Sequence, residues 1–205
     1  MNGEALSNFA HIHHDHGQTR TLFLFHGTGG DEHDLIPLVE PIAETFNIVG
    51  LRGNVLESGM PRFFARKAMG VFDMESLATE TDKLADFLHA WYQTHALAAE
   101  QAAFVGYSNG ANMILATLFR HPELIHSAAL LHAMLPFDPP DLGLAGKRIL
   151  LTRGLRDPMI PAADSAQVAA ALEARGAAVE VFKHGGGHEL TAPERDALLE
   201  FLGKV

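Results

Sequence analysis

A serine between two glycines is the feature of this sequence whose residue types most clearly predict chemistry. The pentapeptide GYSNG at 106–110 follows a short apolar run, 102–105, and precedes a stretch with helical spacing. A serine on such a sharp strand-to-helix turn has a strained backbone, and its small neighbours leave room for the turn, which exposes the hydroxyl group. The pattern therefore predicts that Ser108 is a nucleophile.

A serine hydroxyl is a poor nucleophile until a base accepts its proton and an acid orients that base. On a sheet with this kind of turn, the acid and then the histidine follow the serine along the chain, each on a loop after a later strand. Asp157 follows an apolar run at 148–152, and His188 follows another at 178–182. These two residues are the predicted acid and base.

Other acidic and histidine residues downstream of the serine are alternatives for these two roles. Asp138 and Asp141 lie in a proline-rich loop and Asp164 lies in a predicted helix, where solvent exposure or helix capping explains them. His184 is nearer to its strand end than His188 is. We favour His188 because it follows three glycines, whose backbone freedom lets the loop fold back toward the serine.

Acyl transfer also needs hydrogen-bond donors for the oxyanion. One donor comes from the residue after the nucleophile and one from the loop after an early strand. The backbone N–H groups of Asn109 and Thr28 fit these positions, since Thr28 lies in the glycine-rich segment HGTGG at 26–30. The alternative interpretation, a phosphate-binding loop, lacks the GxGxxG spacing and the P-loop lysine.

Apolar runs alternate with helical stretches along the chain, which predicts a doubly wound α/β fold with a mostly parallel central sheet and helices on both faces. Within the stretch 73–95, for example, Leu84, Leu88 and Trp91 share one helical face. Such open sheets bind ligands at the carboxyl ends of their strands. The predicted strands are 21–26, 46–51, 102–105, 127–131, 148–152 and 178–182, and the predicted helices are 73–95, 109–119, 162–175 and 192–202.

The composition predicts one ordinary globular domain. The chain has 205 residues, 47% of them hydrophobic, without an internal repeat or an insertion long enough for a cap domain, so we expect a single domain over 1–205. A formal net charge of -10 argues against nucleic-acid binding, and no apolar run approaches the length of a membrane span. The polar N-terminus is unlike a signal peptide, so we expect a cytoplasmic protein.

The long segment 53–72 between a predicted strand and a predicted helix is expected to line a substrate pocket, because long loops near strand ends are often functional. Two residues just past the strand 127–131 are further candidates by position. The pocket candidates are Arg62, Phe63, Phe64, His132 and Met134. The alternative for Phe63 and Phe64 is that they cap the core, as aromatic side chains under long loops commonly do.

The N-terminal region is rich in histidine. His11 and His13 would project from the same face if residues 8–13 form an edge strand, and with His14 and His16 they are candidate metal ligands. We favour the simpler interpretation, an edge strand followed by a polar turn, and we expect neither a metal nor another cofactor. An exposed edge strand there makes a homodimer a hypothesis.

Five segments together carry a family resemblance: LFLFHGTGGDEHDLIPL, LRGNVLESGMPRFF, GYSNGAN, GLRDPMIP and GGGHEL. In these, the chain resembles the bacterial carboxylesterase/phospholipase family of α/β-hydrolases, which includes acyl-protein thioesterases, and within it the small subgroup linked to hydroquinone and quinone stress. The resemblance extends from about residue 11 to the C-terminus. It implies a carboxylic-ester hydrolase without a cap domain, with Ser108, Asp157 and His188 at the triad positions.

Three alternatives remain at this point: a thioesterase, an enzyme that processes quinone metabolites in the same pocket, and a binding protein that keeps the fold without catalysis. The thioesterase branch usually has a glutamine after the serine, where this chain has Asn109. We therefore expect a serine hydrolase that acts on a small or linear carboxylic ester.

Overall fold

The computed structural model describes residues 2–68 and 70–205. Its strands are β1 (His11–His14), β2 (Thr21–Phe25), β3 (Asn47–Leu51), β4 (Val55–Glu57), β5 (Met60–Arg62), β6 (Arg66–Ala68), β7 (Val71–Phe72), β8 (Ala102–Tyr107), β9 (Ser127–Leu131), β10 (Arg148–Gly154) and β11 (Ala178–His184). Its α-helices are α1 (Asn2–Leu6), α2 (Ile36–Val39), α3 (Met74–His95), α4 (Asn109–Arg120), α5 (Ala162–Glu173) and α6 (Ala192–Leu202). Short 3₁₀ turns connect several of them.

Seven strands form the central sheet in the order β1-β3-β2-β8-β9-β10-β11. All neighbouring pairs are parallel except β1 and β3, which are antiparallel. Every residue of β2 and β9 is buried, as expected for parallel strands with helices on both faces. The sheet confirms the predicted α/β-hydrolase architecture.

Alternation along β2 shows how the sheet separates two apolar cores. Phe23 and Phe25 face a core built with the apolar sides of α3, α4 and α5, whereas Leu22 and Leu24 face a core that includes α6 residues. Successive strand residues point to opposite faces, so one short apolar strand serves both layers. The sheet is thereby fixed between its helices, and the carboxyl ends of its strands keep a constant relative position.

The segment 53–72 is more regular than the long loop expected from the sequence. It forms two antiparallel hairpins, β4 with β5 and β6 with β7. The first turns at Ser58 and Gly59, both with positive φ (52° and 81°). Positive φ at both central residues is the conformation of the tight hairpin turn whose twist matches the flanking strands.

The N-terminal edge strand differs slightly in its bounds from the predicted 8–13. Strand β1 pairs in register with β3 from His11 opposite Leu51 to His14 opposite Ile48, and the short helix α1 precedes it. The homodimer hypothesised through this edge stays a prediction. In the described part of the chain, no helix combines the length and the apolar character needed to cross a membrane.

The start of α4 packs directly against the end of β2, which makes Gly110 a test of the fold. A Cβ atom at Gly110 would lie 2.3 Å from the carbonyl oxygen of Phe25 and 2.6 Å from that of His26. Both neighbours are backbone atoms, so we expect Gly110→Ala to lower the free energy of unfolding by about 1–3 kcal/mol. Urea denaturation measures this change.

Gly143→Ala is the matched control, because a Cβ atom there would meet nothing within 4 Å. We expect its free energy of unfolding to stay within about 0.5 kcal/mol of the original value. Equal stability of the two variants would contradict the close packing of α4 on β2.

Candidate active site

Ser108 occupies the sharp turn between β8 and α4. Its φ of 52° and ψ of -110° lie in a region that non-glycine residues rarely adopt. The turn is tight because the helix begins immediately: a Cβ atom at Gly106 would lie 2.7 Å from the backbone nitrogen of Ala111. The Ser108 N–H group donates a hydrogen bond to the Leu131 carbonyl at the end of β9, which holds the turn.

The loops after β10 and β11 bring Asp157 and His188 to this serine. His188 Nε2 lies 2.9 Å from Ser108 Oγ, and His188 Nδ1 lies 2.7 Å from Asp157 Oδ2. Tyr107, next to the serine, donates its phenolic hydrogen to the His188 carbonyl at 2.6 Å. Burial raises the pKa of Tyr107 to about 12, so the phenol stays protonated as this donor. The serine turn and the histidine loop are thus connected twice.

Asp157 is a buried carboxylate whose hydrogen bonds favour the ionised form. Its Oδ1 accepts N–H groups from Met159 and Ile160, and its Oδ2 faces ring nitrogens of both His188 and His132. Burial alone would raise the pKa of Asp157, but the bonds from His132, His188 and the two backbone groups outweigh it and lower that pKa. An ionised carboxylate only accepts, so His188 carries its proton on Nδ1 and offers Nε2 to the serine.

The alternatives for the two roles lie elsewhere. Asp138 and Asp141 are exposed, and Asp164 lies in the first turn of α5. His184 is buried, and its Nε2 lies 3.5 Å from Glu194 Oε2. The Gly186 N–H group donates to His184 Nδ1, so both ring nitrogens of His184 have partners other than Ser108.

An open cleft lies beside Ser108. Both predicted oxyanion-hole residues, Thr28 and Asn109, border it, and so do the pocket candidates Arg62 and Met134. Arg66, Gly70 and Phe72 also border the cleft and belong to the segment 53–72, which the sequence predicts to line the pocket. Three further lining residues, Asn112, Met159 and Ile160, were not predicted from the sequence.

The other three pocket candidates do not line the cleft. Phe63 is fully buried and packs on Phe25 and on the His26 ring, with centroids 5.1 and 4.8 Å away. Phe64 is fully buried against Phe72. The prediction that these phenylalanines line the pocket is therefore corrected to the alternative, a role in the core, because the two hairpins fold their rings inward.

His132 is also corrected, because its side chain is fully buried behind Asp157. Its Nδ1 lies 2.8 Å from Asp157 Oδ2, and its Nε2 lies 3.2 Å from Glu194 Oε1. Sequence reasoning missed Glu194, which looks like an ordinary helix cap: with Thr191 it forms a capping box at the start of α6. The spacing between Thr191 and Glu194 was the available signal, and it indicated a helix start and no more.

Two arginines border the cleft, and both lie beside Glu57, which is not among the lining residues. Arg62 is almost fully buried, donates to Thr28 Oγ1 and to the Phe64 carbonyl, and lies 3.3 Å from Glu57. Arg66, which is more accessible, makes an ion pair with Glu57 at 2.8 Å. One carboxylate therefore faces two guanidinium groups.

The N-terminal histidines do not converge on a common point. His11 and His13 pack on the Trp91 ring with centroid distances of 5.7 and 5.0 Å, and His16 Nδ1 contacts the carbonyl oxygens of Ala43 and Phe46. These contacts fit the edge-strand interpretation.

In residues 2–68 and 70–205, groups of three candidate metal ligands occur around His132 instead, with Asp157 and His188 or with His184 and Glu194.

No protein-family model matches the chain. It is 38% identical over 192 residues to the Bacillus subtilis (strain 168) protein described as "Putative hydrolase MhqD", over 93% of this chain and 96% of that protein. The Bacillus cereus carboxylesterase structure has a TM-score of 0.91 and 36% identity over 99% of this chain and 98% of its own. A carboxylesterase from Mesorhizobium loti has a TM-score of 0.90 and 31% identity over 97% and 96%, respectively.

Glu194 gives the site a testable pH dependence. Burial would raise its pKa, but hydrogen bonds from His132 and Thr152 outweigh this effect and lower it. The unfolded chain therefore binds the proton more readily, and Glu194 stabilises the fold above the unfolded pKa of about 4.3, an effect that is lost as pH falls through the folded value. At pH 7 we expect Glu194→Gln to cost about 3 kcal/mol of unfolding free energy.

Urea denaturation between pH 7 and pH 3 measures this effect. We expect the stability difference between the original chain and Glu194→Gln to narrow as the pH falls below about 4. Glu44→Gln, at an exposed position, is the control and should change stability little at any pH. A difference that stays constant from pH 7 to pH 3 would contradict the ionised, hydrogen-bonded state of Glu194.

Proposed function

The chain belongs to the ester-hydrolysing family of α/β-hydrolases that contains MhqD and the Bacillus cereus carboxylesterase, and we propose that its nucleophile is Ser108. As a member of this family it is an ester-hydrolysing enzyme, as the resemblance in the sequence implied. His188 is proposed as general base and Asp157 as the residue that orients it. The observation that carries these roles is the 2.9 Å contact between His188 Nε2 and Ser108 Oγ at a strained turn.

The proposed reaction has two stages. His188 Nε2 takes the Ser108 hydroxyl proton as Oγ forms a bond to the carbonyl carbon of the ester. The tetrahedral intermediate then breaks its bond to the alcohol oxygen, which leaves with the proton from His188, and the acyl group remains on Ser108. A water molecule repeats the sequence: His188 takes its proton, the hydroxyl attacks the acyl carbon, and the acid leaves as the proton returns to Oγ.

The negative charge of the intermediate needs stabilisation at the cleft. We assign this role to the backbone N–H groups of Thr28 and Asn109, two residues that border the cleft together with Ser108. Asn109 is the first residue of α4, so the positive end of the helix dipole also faces the developing charge. The Arg62 contact to Thr28 Oγ1 holds the first of these loops in place.

The cleft also indicates a class of ester. Its described lining residues include two guanidinium groups but no carboxylate. We therefore propose a small ester that carries a carboxylate of its own, because the guanidinium groups of Arg62 and Arg66 both border the cleft, and we place that carboxylate on the Arg66 side.

Replacement of the nucleophile tests the reaction. We expect Ser108→Ala to lower kcat/KM for a p-nitrophenyl ester at least about 10⁴-fold, because no hydroxyl remains to form the acyl-enzyme. A fluorophosphonate probe should label the original chain at residue 108 and should not label this variant. Ser7→Ala, at an exposed turn, is the control for both measurements. Equal hydrolysis by the original chain and Ser108→Ala would disprove the assignment.

Two isosteric substrates test the charge preference. Monomethyl succinate and methyl 4-methylpentanoate have the same shape at the far end, with a carboxylate in one and an isopropyl group in the other. We expect Arg66→Gln to lower kcat/KM for the succinate ester about tenfold, the value of one charge-assisted hydrogen bond, and to leave the neutral ester unchanged. A pH-stat measures the acid released.

Arg120→Gln is the matched control, since Arg120 also pairs with a carboxylate but lies at the far end of α4 from the serine. Its ratio of kcat/KM values for the two esters should equal that of the original chain. An equal loss on both esters in Arg66→Gln would show that Arg66 supports the hairpins without recognising a substrate carboxylate.

A further inference from the structure

His132 lies between two buried carboxylates, directly behind the proposed triad. It follows β9 with a positive φ of 56°, and its side chain has no solvent exposure. Its Nδ1 faces Asp157 Oδ2 at 2.8 Å and its Nε2 faces Glu194 Oε1 at 3.2 Å. The side chains of Asp157 and Glu194 are each only 1% exposed.

The hydrogen-bond partners determine the protonation of this ring. Bonds from neighbouring groups lower the pKa values of both Asp157 and Glu194, so both are ionised and can only accept. His132 Nδ1 must then donate to Asp157. His132 Nε2 lies 3.2 Å from Glu194 Oε1 and 3.3 Å from His184 Nε2, and when His184 directs its own hydrogen to Glu194 Oε2, His132 Nε2 donates to Oε1. With both nitrogens donating, the ring is in the imidazolium form. Burial alone would lower the pKa of His132, but the hydrogen bonds and the charges of the two carboxylates outweigh it and raise that pKa.

Glu194, on the other side of His132 from Asp157, has further hydrogen-bond partners of its own. Glu194 Oε1 also accepts the Thr152 hydroxyl hydrogen, and its Oε2 accepts the Thr191 N–H group. His184 Nε2 is 3.5 Å from Glu194 Oε2, and its Nδ1 accepts the Gly186 N–H group. His184 is therefore a neutral ring that carries its hydrogen on Nε2. We call Asp157, His132, Glu194, Thr152 and His184 the His132 network.

The neutral form of His184 also bears on metal binding. His132, His184 and Glu194 could each offer one atom to a cation. A metal on His184 Nε2 would need the hydrogen on Nδ1, where the Gly186 N–H group already points. The hydrogen-bond pattern thus favours a hydrogen on His132 Nε2 and one on His184 Nε2 over a metal ion bound between these two atoms.

We propose that His132 is a positioning residue, a permanent imidazolium that fixes Asp157 and makes His188 a weaker base than it would be beside an unshared carboxylate. Asp157 Oδ2 divides its hydrogen-bonding capacity between two imidazole rings whose centroids are 5.0 Å apart. A positive charge at that distance opposes protonation of His188 and keeps it available as a base at lower pH. This inference rests on the proposed esterase mechanism.

Other titratable groups around His132 do not cancel this effect. Tyr107 on β8 approaches edge-on with its ring centroid 5.9 Å away and stays neutral, and His184 on β11 is neutral. Glu189, in the loop after β11, is a more distant carboxylate whose own pKa is lowered mainly by backbone N–H groups and less by His132. Glu194 lies on the side of His132 away from Asp157.

His132→Asn removes the charge with little other change. Asparagine tolerates a positive φ better than most residues, and its amide can donate to Asp157 from about the position of Nδ1. We expect the acid limb of the kcat/KM profile to move to higher pH by about one pH unit, with nearly unchanged values on the alkaline plateau. A purely structural role would instead lower kcat/KM by a similar factor at every pH.

A double variant keeps the test valid if the single variant folds poorly. His132→Asn with Glu194→Gln removes both buried charges, and the glutamine carbonyl can still accept the Thr152 hydroxyl hydrogen. We expect the acid limb to move in the same direction but by less, because the loss of the negative charge of Glu194 partly opposes the loss of the positive charge of His132. His121→Asn is the matched control, because His121 also faces a carboxylate, Asp82, but on the surface at the end of α4. Its acid limb should coincide with that of the original chain.

Nuclear magnetic resonance of ¹⁵N-histidine-labelled protein tests the inference without an ester. We expect one histidine with both ring nitrogens protonated at pH 8, and we expect its signals to be absent from His132→Asn. A neutral His132 at pH 8, an unmoved acid limb, or stoichiometric metal in the purified protein would each overturn the proposal. Failure of Ser108→Ala to abolish hydrolysis would overturn the esterase mechanism separately and would leave the charge state of His132 intact.

Discussion

The buried carboxylate of Asp157 is the group on which the arrangement of this site depends. It accepts two backbone N–H groups from its own loop and faces one imidazole after β9 and another after β11. Four donors replace the water that an ionised carboxylate would otherwise need. Because these donors come from three different segments, satisfying one charge brings the ends of β9, β10 and β11 into a fixed relation.

The layers of the fold keep the ends of β9, β10 and β11 in these relative positions. Parallel strands end at the same edge, and helices packed on both faces prevent the strands from sliding past one another. The serine turn is fixed separately, by the close approach of α4 to β2 at Gly110 and by the hydrogen bond from Ser108 to Leu131. The 2.9 Å contact between Ser108 and His188 therefore joins two parts of the structure, the serine turn and the loops after β10 and β11, that are each held by contacts of their own.

The sequence predicted those parts of the molecule that depend on local pattern. Fully apolar strands such as β2 and β9 have clear signals, and a serine turn between a strand and a helix is recognisable because its glycines are required sterically. The positions of Asp157 and His188 followed from the alternation of elements together with the order in which acid and base follow the serine in this architecture. The choice of His188 over His184 also drew on the three preceding glycines and on the family resemblance. Their proposed roles, like those of Thr28 and Asn109, stay predictions that the kinetic measurements address.

The other features of the fold and site depend on contacts between residues that are distant in the sequence, and such contacts leave no local sequence pattern. The hairpins of 53–72 have strands of two or three residues, several of them charged, so no apolar alternation revealed them. Phe63 and Phe64 looked like pocket residues because burial by a folded-back hairpin cannot be read from their neighbours. His132 and Glu194 are 62 positions apart in the chain, and each has an ordinary local explanation until the folded chain brings them together.

The two hairpins also have an evolutionary consequence. They form small sheets of their own, outside the seven-stranded sheet, and they supply Arg62, Arg66 and Phe72 to the cleft but no member of the proposed triad. One bond from the Phe63 N–H group to Asn109 Oδ1 anchors them beside the serine turn. Substitutions at the hairpin tips can therefore alter which esters are accepted without changing Ser108, Asp157 or His188, whereas changes at Arg62 would also disturb the loop that carries Thr28. We therefore expect sequence differences between relatives that accept different esters to be concentrated in the segment 53–72.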